Sequence, residues 1–462
     1  MQIEQIYTGC LAQGAYYITS NGEAAIIDPL REVQPYIDRL ERDSVKLKYI
    51  FETHFHADFV SGHIDLSDKT GAPIVFGPEA KPEFSFISAK DREDFHVGNI
   101  ILRTIHTPGH TLESTCYLLI DEDGKEYALF SGDTLFIGDV GRPDLAQKAA
   151  HMTKEQLAAT LYNSLRNKIM TLPDDVIVYP AHGAGSACGK NMSKETVSTI
   201  GNQKQYNYAL RANMTETEFI KEVTDGLLPA PAYFSSNVAM NKKGYESYET
   251  VFNNGMRALH PDEFEAGADG TGALILDTRN NGDFFKGFIP QSVNIGLNGD
   301  FAPWVGSLIA DVKQEILLVT NEGMEEEAVT RLSRVGFDNI LGHLKGGYPA
   351  WVKSGKETDQ VDRITAEEFG KAYDSHDTII DIRKDAEYSS QHIENAQSKP
   401  LADINTWIKD IDPAKHFYIH CAGGYRSMIA ASILQSRGYR NFSEIEGGIS
   451  AVIDPKITMI KS

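Results

Sequence analysis

The stretch Phe51-Glu52-Thr53-His54-Phe55-His56-Ala57-Asp58-Phe59, followed by Val60-Ser61-Gly62-His63, decides how this chain is read. Two histidines and a carboxylate follow directly on the apolar run Tyr49-Ile50-Phe51, which places metal-ligand side chains at one strand end. Imidazoles and carboxylates are costly to bury unpaired, so packing alone does not account for the cluster. A polar surface loop is the plainer alternative, and it loses ground because matching pieces recur downstream. Thr107-Pro108-Gly109-His110 follows a strand-like run from Asn99, Ser131-Gly132-Asp133 follows 127–130, and Tyr179-Pro180-Ala181-His182 follows 176–178. Four strand ends, each with a ligand type, describe one metal site.

This pattern resembles the metallo-β-lactamase fold over residues 1–236. The binuclear members of that family carry His-x-His-x-Asp-His, and here the last position is Phe59. The resemblance implies that the missing histidine belongs to a second metal, shared with Asp58 and His182, and that an apolar ring in its place weakens that site alone. What remains resembles the persulfide dioxygenase branch, in which two histidines and one aspartate hold a single iron. Those ligands map onto His54, His110 and Asp133, and the expected cofactor is one Fe(II) per chain. A facial triad of this kind leaves open positions for both substrate and dioxygen. A hydrolase needs a metal-bound water driven to hydroxide, usually by zinc. On this reading His56 and His182 stand behind the ligands, orienting them or bridging water. Asp58 is either a direct ligand or the hydrogen-bonding partner that shapes the loop.

At 462 residues the chain is too long for one core and suggests about three domains. No run approaches the roughly eighteen apolar residues a membrane span requires, and the first residues read as a strand rather than a signal peptide. A net charge of −21, from 65 acids against 44 bases, argues against nucleic-acid partners. It also means that anionic persulfide carriers need local basic groups at the site mouth. Cys10, Cys116, Cys188 and Cys421 form no Cys-x-x-Cys pair and no disulfide framework, so the expected compartment is reducing and cytoplasmic.

Along the chain, Asn21-Gly22 between two strand-like runs is a hairpin signal. Helical periodicity covers 33–42 and 152–170, the second with Thr153 as N-cap and Gln156 at the capping-box position. Many short strands with few helices between them fit an αββα sandwich with the metal at one sheet edge. The loop Gly138-Asp139-Val140-Gly141-Arg142-Pro143-Asp144 matches a Gly-Arg-x-Asp loop that lies beside the iron in the family. Arg142 is thus either a substrate-carboxylate anchor or the partner of Asp144 in a loop-closing salt bridge. The loop 182–190 reads as a substrate rim, with Cys188 near the metal as a substrate-contacting or persulfide-carrying thiol and Lys190 lowering its pKa. Tyr233, in the proline-rich segment closing the domain, either stacks on substrate or packs in the core.

Residues 237–257 read as a connector, after which an internal repeat begins. Leu274-Ile275-Leu276-Asp277-Thr278-Arg279 recurs as Thr378-Ile379-Ile380-Asp381-Ile382-Arg383, and Leu344-Lys345-Gly346-Gly347 as Ile445-Glu446-Gly447-Gly448. A spacing near a hundred residues suits two small α/β domains with parallel sheets. Both copies, 258–356 and 361–462, resemble rhodanese domains. In the second, Cys421-Ala422-Gly423-Gly424-Tyr425-Arg426-Ser427 puts a cysteine before a helix N-terminus, where converging amides stabilise a thiolate or a persulfide anion. Four residues separate Cys421 from Arg426, against five in rhodanese-fold phosphatases, which favours sulfur. The first copy has Asn321 in the nucleophile's place and Glu326 in the arginine's, so it is expected to be inert and to serve spacing or dimer contact.

The combined expectation is a non-haem iron persulfide dioxygenase that oxidises a glutathione-type persulfide to sulfite, coupled to sulfurtransferase chemistry at Cys421 and Arg426 that makes or uses thiosulfate. Its partners would be a thiol persulfide, dioxygen, sulfite or thiosulfate, with neither nucleic acid nor membrane, in a homo-oligomer. The rival is a zinc glyoxalase-II-type thioester hydrolase with a rhodanese appendage. A sulfur-carrier or sensing module with a scaffold first domain is a third class.

Overall fold

The computed structural model describes residues 1–454 and 456–461. The chain divides into two compact units, one of Met1–Tyr248 with Ser333–Gly336, the other of Glu249–Leu332 with Phe337–Ser462.

The first unit holds two six-stranded sheets. One runs, in spatial order, Gln2–Thr8, Gln13–Ser20, Glu23–Ile27, Lys46–Glu52, Ile74–Phe76, Ile87–Ser88. The other runs Ser198–Thr199, Ile177–Pro180, Glu126–Gly132, Thr115–Ile120, Ile100–His106, Asp94–Val97. Side-chain alternation builds the layers. Tyr16, Ile18, Ala25, Ile27 and Phe51 point inward against Leu102, Tyr117, Leu119 and Phe130 of the other sheet. Their neighbours Ala15, Tyr17, Ala24 and Ile26 point outward beneath Tyr36, Leu40 and Leu66 of the helices Gln34–Asp43 and His63–Thr70. On the far side Leu118 and Leu129 pack against Ala158 and Leu161 of the helix Lys154–Ser164. The layers are therefore αββα, as the strand pattern predicts.

Local chemistry sets these elements. Asn21 and Gly22 both have positive φ, 44° and 80°, so the register Ser20↔Glu23 closes through the two-residue turn that matches strand twist. Thr153 and Gln156 form a reciprocal capping box. The helix they open continues past Ser164 as a wider π-helical segment, Leu165–Ile169. The stretch 237–257 carries parts of two helices, Phe234–Lys243 and Tyr248–Gly255, because Val251 and Asn237 are buried rather than solvated.

The second unit repeats one design. Its five-stranded sheets run Ala258–Leu259, Ile340–Leu344, Ile316–Val319, Leu274–Asp277, Val293–Asn294, and Arg363–Ile364, Phe442–Ile445, Phe417–His420, Ile379–Asp381, Gln397–Ser398. Every pairing in both is parallel. The repeated Asp-x-Arg has the same function twice: Arg279 donates to Asp277 at 2.6 Å and to the Gly287 carbonyl, and Arg383 donates to Asp381 at 2.6 Å and to the Gln391 carbonyl. Among the described residues no helix is long and apolar enough to cross a membrane.

Candidate metal centre and sulfur-transfer loop

Strand ends of both sheets converge in the first unit. His54 follows the strand Lys46–Glu52, Asp133 follows Glu126–Gly132, His182 follows Ile177–Pro180, and His110 closes the turn after Ile100–His106. Glycines permit the approach. A Cβ on Gly132 would lie 2.7 Å from Thr53, and one on Gly141 would lie 1.9 Å from the Asp133 carbonyl oxygen and 3.0 Å from His110 Nδ1.

His54, His110 and Asp133 bring ligand atoms within 4.8 Å of one another, and all three are buried. Asp133 Oδ2 lies 3.3 Å from His110 Nε2 and 3.8 Å from His54 Nε2. The hydrogen-bond network fixes which nitrogen holds the proton. His110 Nδ1 is 2.8 Å from the Arg142 carbonyl, which can only accept, so Nδ1 is protonated and Nε2 carries a lone pair. Thr53 Oγ1 donates to Asp28 Oδ2 and therefore accepts from His54 Nδ1 at 3.0 Å, which leaves the same lone pair on His54 Nε2. Burial, with His56, His110 and His182 nearby, holds His54 well below the ordinary imidazole range, so it stays neutral. Neither carboxylate oxygen of Asp133 has a hydrogen-bond partner among the described residues. Lone pairs aimed at an orphaned carboxylate repel unless a cation lies between them, so this donor set fits a metal ion.

His182 adds to the cluster with Nε2 3.4 Å from Asp58 Oδ2 and 3.5 Å from Asp133 Oδ1. His56, Asp58 and His182 also bring ligand atoms within 4.8 Å. The motif's departure from the binuclear pattern, Phe59, is wholly buried, its ring tilted 31° over His56 with centroids 4.3 Å apart. His56 Nε2 meets Asp28 Oδ1 at 3.1 Å and Glu52 Oε2 at 3.3 Å, while Glu52 Oε1 meets His63 Nδ1 at 3.3 Å. Burial opposes charge on His56, yet Asp28 and Glu52 raise it well above its ordinary value. Burial likewise raises the Asp28 carboxyl, but two carboxylates against one imidazole nitrogen put the proton on His56. Glu52, despite its burial, is pulled to about 2 by His63 and His56. The Asp28, Glu52 and His63 layer escapes sequence reasoning because its members are brought together only by tertiary packing. The carboxylate directly before Thr53-His54 is the one local signal that was available.

The rim selects one of two expectations at Arg142 and departs from expectation at Lys190. The Arg142 guanidinium is 5 % exposed and spends its donors on Asp144 Oδ1 and Oδ2, both at 2.7 Å, and on the carbonyls of Ala187 and Leu228. The loop-closing pairing is the arrangement present, and it leaves no fork for a substrate carboxylate. Lys190 does not lower Cys188. Its Nζ bonds the carbonyls of Glu222 and Asp225 at 2.5 and 2.7 Å, and burial together with the Asp58 and Asp133 carboxylates pushes the Cys188 thiol well up. Cys188 nonetheless shares a ligand-atom cluster with Asp133 and His182. Tyr233 is buried, edge-on to Phe234, and its phenol is pushed up by burial and by Asp58 and Cys188.

In the second unit Cys421 ends the strand Phe417–His420 and precedes the helix Tyr425–Ser436. The Gly424 N–H donates to its sulfur at 3.1 Å, and Ser427 Oγ lies 3.5 Å away. Gly424 has φ +99°, a conformation side chains rarely adopt, which turns its amide onto the sulfur. Arg426 shares the cavity of about 570 Å³ above Cys421 but is held bidentate by Glu387, at 2.6 and 2.9 Å. At the matching place in the first copy the helix Glu325–Arg334 opens on three glutamates, Glu325, Glu326 and Glu327.

Comparison with known proteins agrees with this geometry. Residues 8–182 match the metallo-beta-lactamase superfamily, and residues 260–354 and 365–454 each match the rhodanese-like domain. Persulfide dioxygenase ETHE1, mitochondrial, of Homo sapiens is 30% identical over 223 residues, 48% of this chain and 79% of that protein. The hydroxyacylglutathione hydrolase of Tolumonas auensis is 35% identical over 171 residues, 36% of this chain and 60% of that protein. A crystal structure of a metallo-beta-lactamase from Staphylococcus aureus subsp. aureus COL superposes with TM-score 0.66 at 31% identity, covering 74% of this chain and 98% of its own. The chain belongs to the metallo-β-lactamase superfamily, as a relative of the persulfide dioxygenases in which two rhodanese-like domains follow the metal-binding fold.

Proposed function

We propose that the first unit is a persulfide dioxygenase and that Cys421 carries sulfane sulfur as its cysteine persulfide. The carrying observation is the orphaned Asp133 carboxylate facing the Nε2 lone pairs of His54 and His110, with Phe59 standing where a second metal would need an imidazole. Two histidines and one carboxylate suit ferrous iron. One such ion held by His54, His110 and Asp133 would supply the redox chemistry that dioxygen requires. The overall change is a thiol persulfide plus dioxygen and water giving the thiol and sulfite, a four-electron oxidation of the outer sulfur. The chain's own residues set the conditions for it. The Arg142 carbonyl and the Asp28–Thr53 relay hold the Nδ1 proton of each imidazole and so aim both Nε2 atoms at Asp133, and Phe59 and Tyr233 keep the wall apolar. At Cys421 a persulfide anion would sit on the Gly424 amide, and its outer sulfur joins sulfite as thiosulfate while the cysteine leaves as thiolate.

The second reading, a zinc thioester hydrolase, draws on the likeness to hydroxyacylglutathione hydrolases and on the His56, Asp58 and His182 cluster. Metal analysis of the purified chain separates the two: one iron per chain for the dioxygenase, two zincs for the hydrolase. Oxygen uptake with a low-molecular-weight thiol persulfide then tests the activity directly. Iron-loaded protein that consumes no oxygen with any persulfide would sink the first reading.

A further inference from the structure

The rhodanese-like copy that lacks the cysteine contributes to the cavity above Cys421. That cavity is lined by Asp300 and Trp304 of the first copy and by Lys384, Glu387, Tyr425 and Arg426 of the second. The first copy is fastened there: Tyr425 donates its hydroxyl to the Gly296 carbonyl at 2.8 Å, and the Asn294 N–H donates to Ser432 Oγ at 2.9 Å. Gly299 lies so close that a Cβ would stand 2.4 Å from the Tyr425 ring. With its hydroxyl bonded to the Gly296 carbonyl, Tyr425 lines the cavity, as Trp304 does.

The charges that line this cavity are of both signs. Arg426 is already neutralised by Glu387. Asp300 precedes the helix Phe301–Leu308 at the N-cap position, yet its side chain caps nothing, and among the described residues no cation pairs with it. Lys384, exposed at the edge of the cavity, likewise has no ion-pair partner among the described residues. One free carboxylate and one free ammonium, with aromatic walls, complement a zwitterion rather than thiosulfate, which would meet a repelling carboxylate. The volume falls within the range of small-ligand sites.

We infer that Asp300 and Lys384 select the sulfur donor of Cys421: a low-molecular-weight thiol persulfide bearing an α-ammonium, read by Asp300, and a carboxylate, read by Lys384. The inference rests on the proposed sulfur-carrying role of Cys421. In the loading step the Cys421 thiolate attacks the donor's outer sulfur. The donor's S–S bond breaks, a new one forms on Cys421, and the parent thiol leaves with the electron pair and takes a proton from water, with no net oxidation.

The test uses the full chain with three donors generated in solution: cysteine persulfide, its deaminated counterpart 3-mercaptopropionate persulfide, and thiosulfate. Loading of Cys421 is read as a mass gain of one sulfur against time. Asp300→Asn is expected to lower kcat/KM for cysteine persulfide by roughly tenfold, the worth of one charge-assisted hydrogen bond, chiefly through KM. The same change should raise kcat/KM for thiosulfate by removing the repulsion, and Asp300→Lys should raise it further. The deaminated persulfide should respond little to Asp300→Asn, which a merely structural role would not spare. Equal losses with all three donors, or a cysteine-to-thiosulfate preference that stays within twofold, would overturn the inference while leaving the carrier role intact. Wild-type Cys421 that takes sulfur from no donor would overturn the carrier role and this inference together.

Discussion

On the proposed reading Phe59 is what separates a mononuclear from a binuclear centre, and its packing says what replacing it should do. The ring is fully buried against His56, and the Asn241 amide holds the Phe59 and His56 carbonyls at 2.8 Å, so the backbone path is fixed independently of the ring. Phe59→His should therefore place an imidazole near Asp58 and His182 without moving the loop. Reconstitution with zinc should bind close to two ions per chain in the variant and close to one in the parent, measured by elemental analysis after gel filtration. Without metal the variant should lose stability by about 1–3 kcal/mol, because a polar ring is buried unpaired. Cys116 gives a pH prediction. Burial pushes its thiol from 9 to about 11, so in the folded chain it stays neutral and should resist alkylation until pH approaches 11. Its ordinary value applies once the chain unfolds, so its contribution to stability is complete below pH 9 and is lost as pH rises from 9 to 11. At this scale the ligand types were legible in sequence because His54, His110 and Asp133 each follow closely on a strand. The Asp28–Thr53–His54 relay was not, since nothing local to Asp28 says that its carboxylate reaches Thr53.

Strand ends and the loops behind them decide whether such ligands meet. The loop with Gly141 and Arg142 was legible as a glycine-rich element beside the metal site, and its Arg142–Asp144 pairing as one of two alternatives, but its backbone contribution was not. Its arginine serves the loop itself, through Asp144, and its contribution to the centre is the backbone carbonyl of Arg142 on His110. A sequence records side chains, so a carbonyl that fixes a tautomer leaves no mark. Gly141 shows the consequence. A methyl there would press on the Asp133 carbonyl at 1.9 Å and on His110 Nδ1 at 3.0 Å. Gly141→Ala should cost about 1–3 kcal/mol through overpacking and, more tellingly, lower metal content at a fixed metal concentration, read by titration with a chromophoric chelator. Helix ends were easier. Thr153 with Gln156 fixes the start of Lys154–Ser164, while the π-helical continuation Leu165–Ile169 depends on packing of Leu165 and Ile169 against the sheet and has no sequence signature.

Across the whole molecule the chemistry divides along the same line as the compact units, with His54, His110 and Asp133 in one and Cys421 in the other. The internal repeat was legible because Asp277-Thr278-Arg279 and Asp381-Ile382-Arg383 do the same work at the same strand end, and Asn321 with the glutamates after it marks the first copy as the one without a cysteine. Its contribution of Asp300 and Trp304 to the Cys421 cavity was not, because a linear repeat does not reveal which surfaces of two copies face each other. Two variants test the division. His110→Ala removes a ligand-type nitrogen and should abolish oxygen uptake, yet Cys421 should still gain one sulfur when a persulfide is supplied. Cys421→Ser keeps the Gly424 amide but replaces the sulfur that accepts it, so oxygen uptake with a directly supplied thiol persulfide should remain within about twofold of the parent. Sulfite should then accumulate in place of thiosulfate, in keeping with a nucleophile acting only in its own step. An oxygen electrode and separation of the sulfur anions by chromatography read both variants. Loss of oxygen uptake in Cys421→Ser with the persulfide already provided would mean that the dioxygenase step depends on sulfur delivered from Cys421, and the two units would have to be treated as one catalyst.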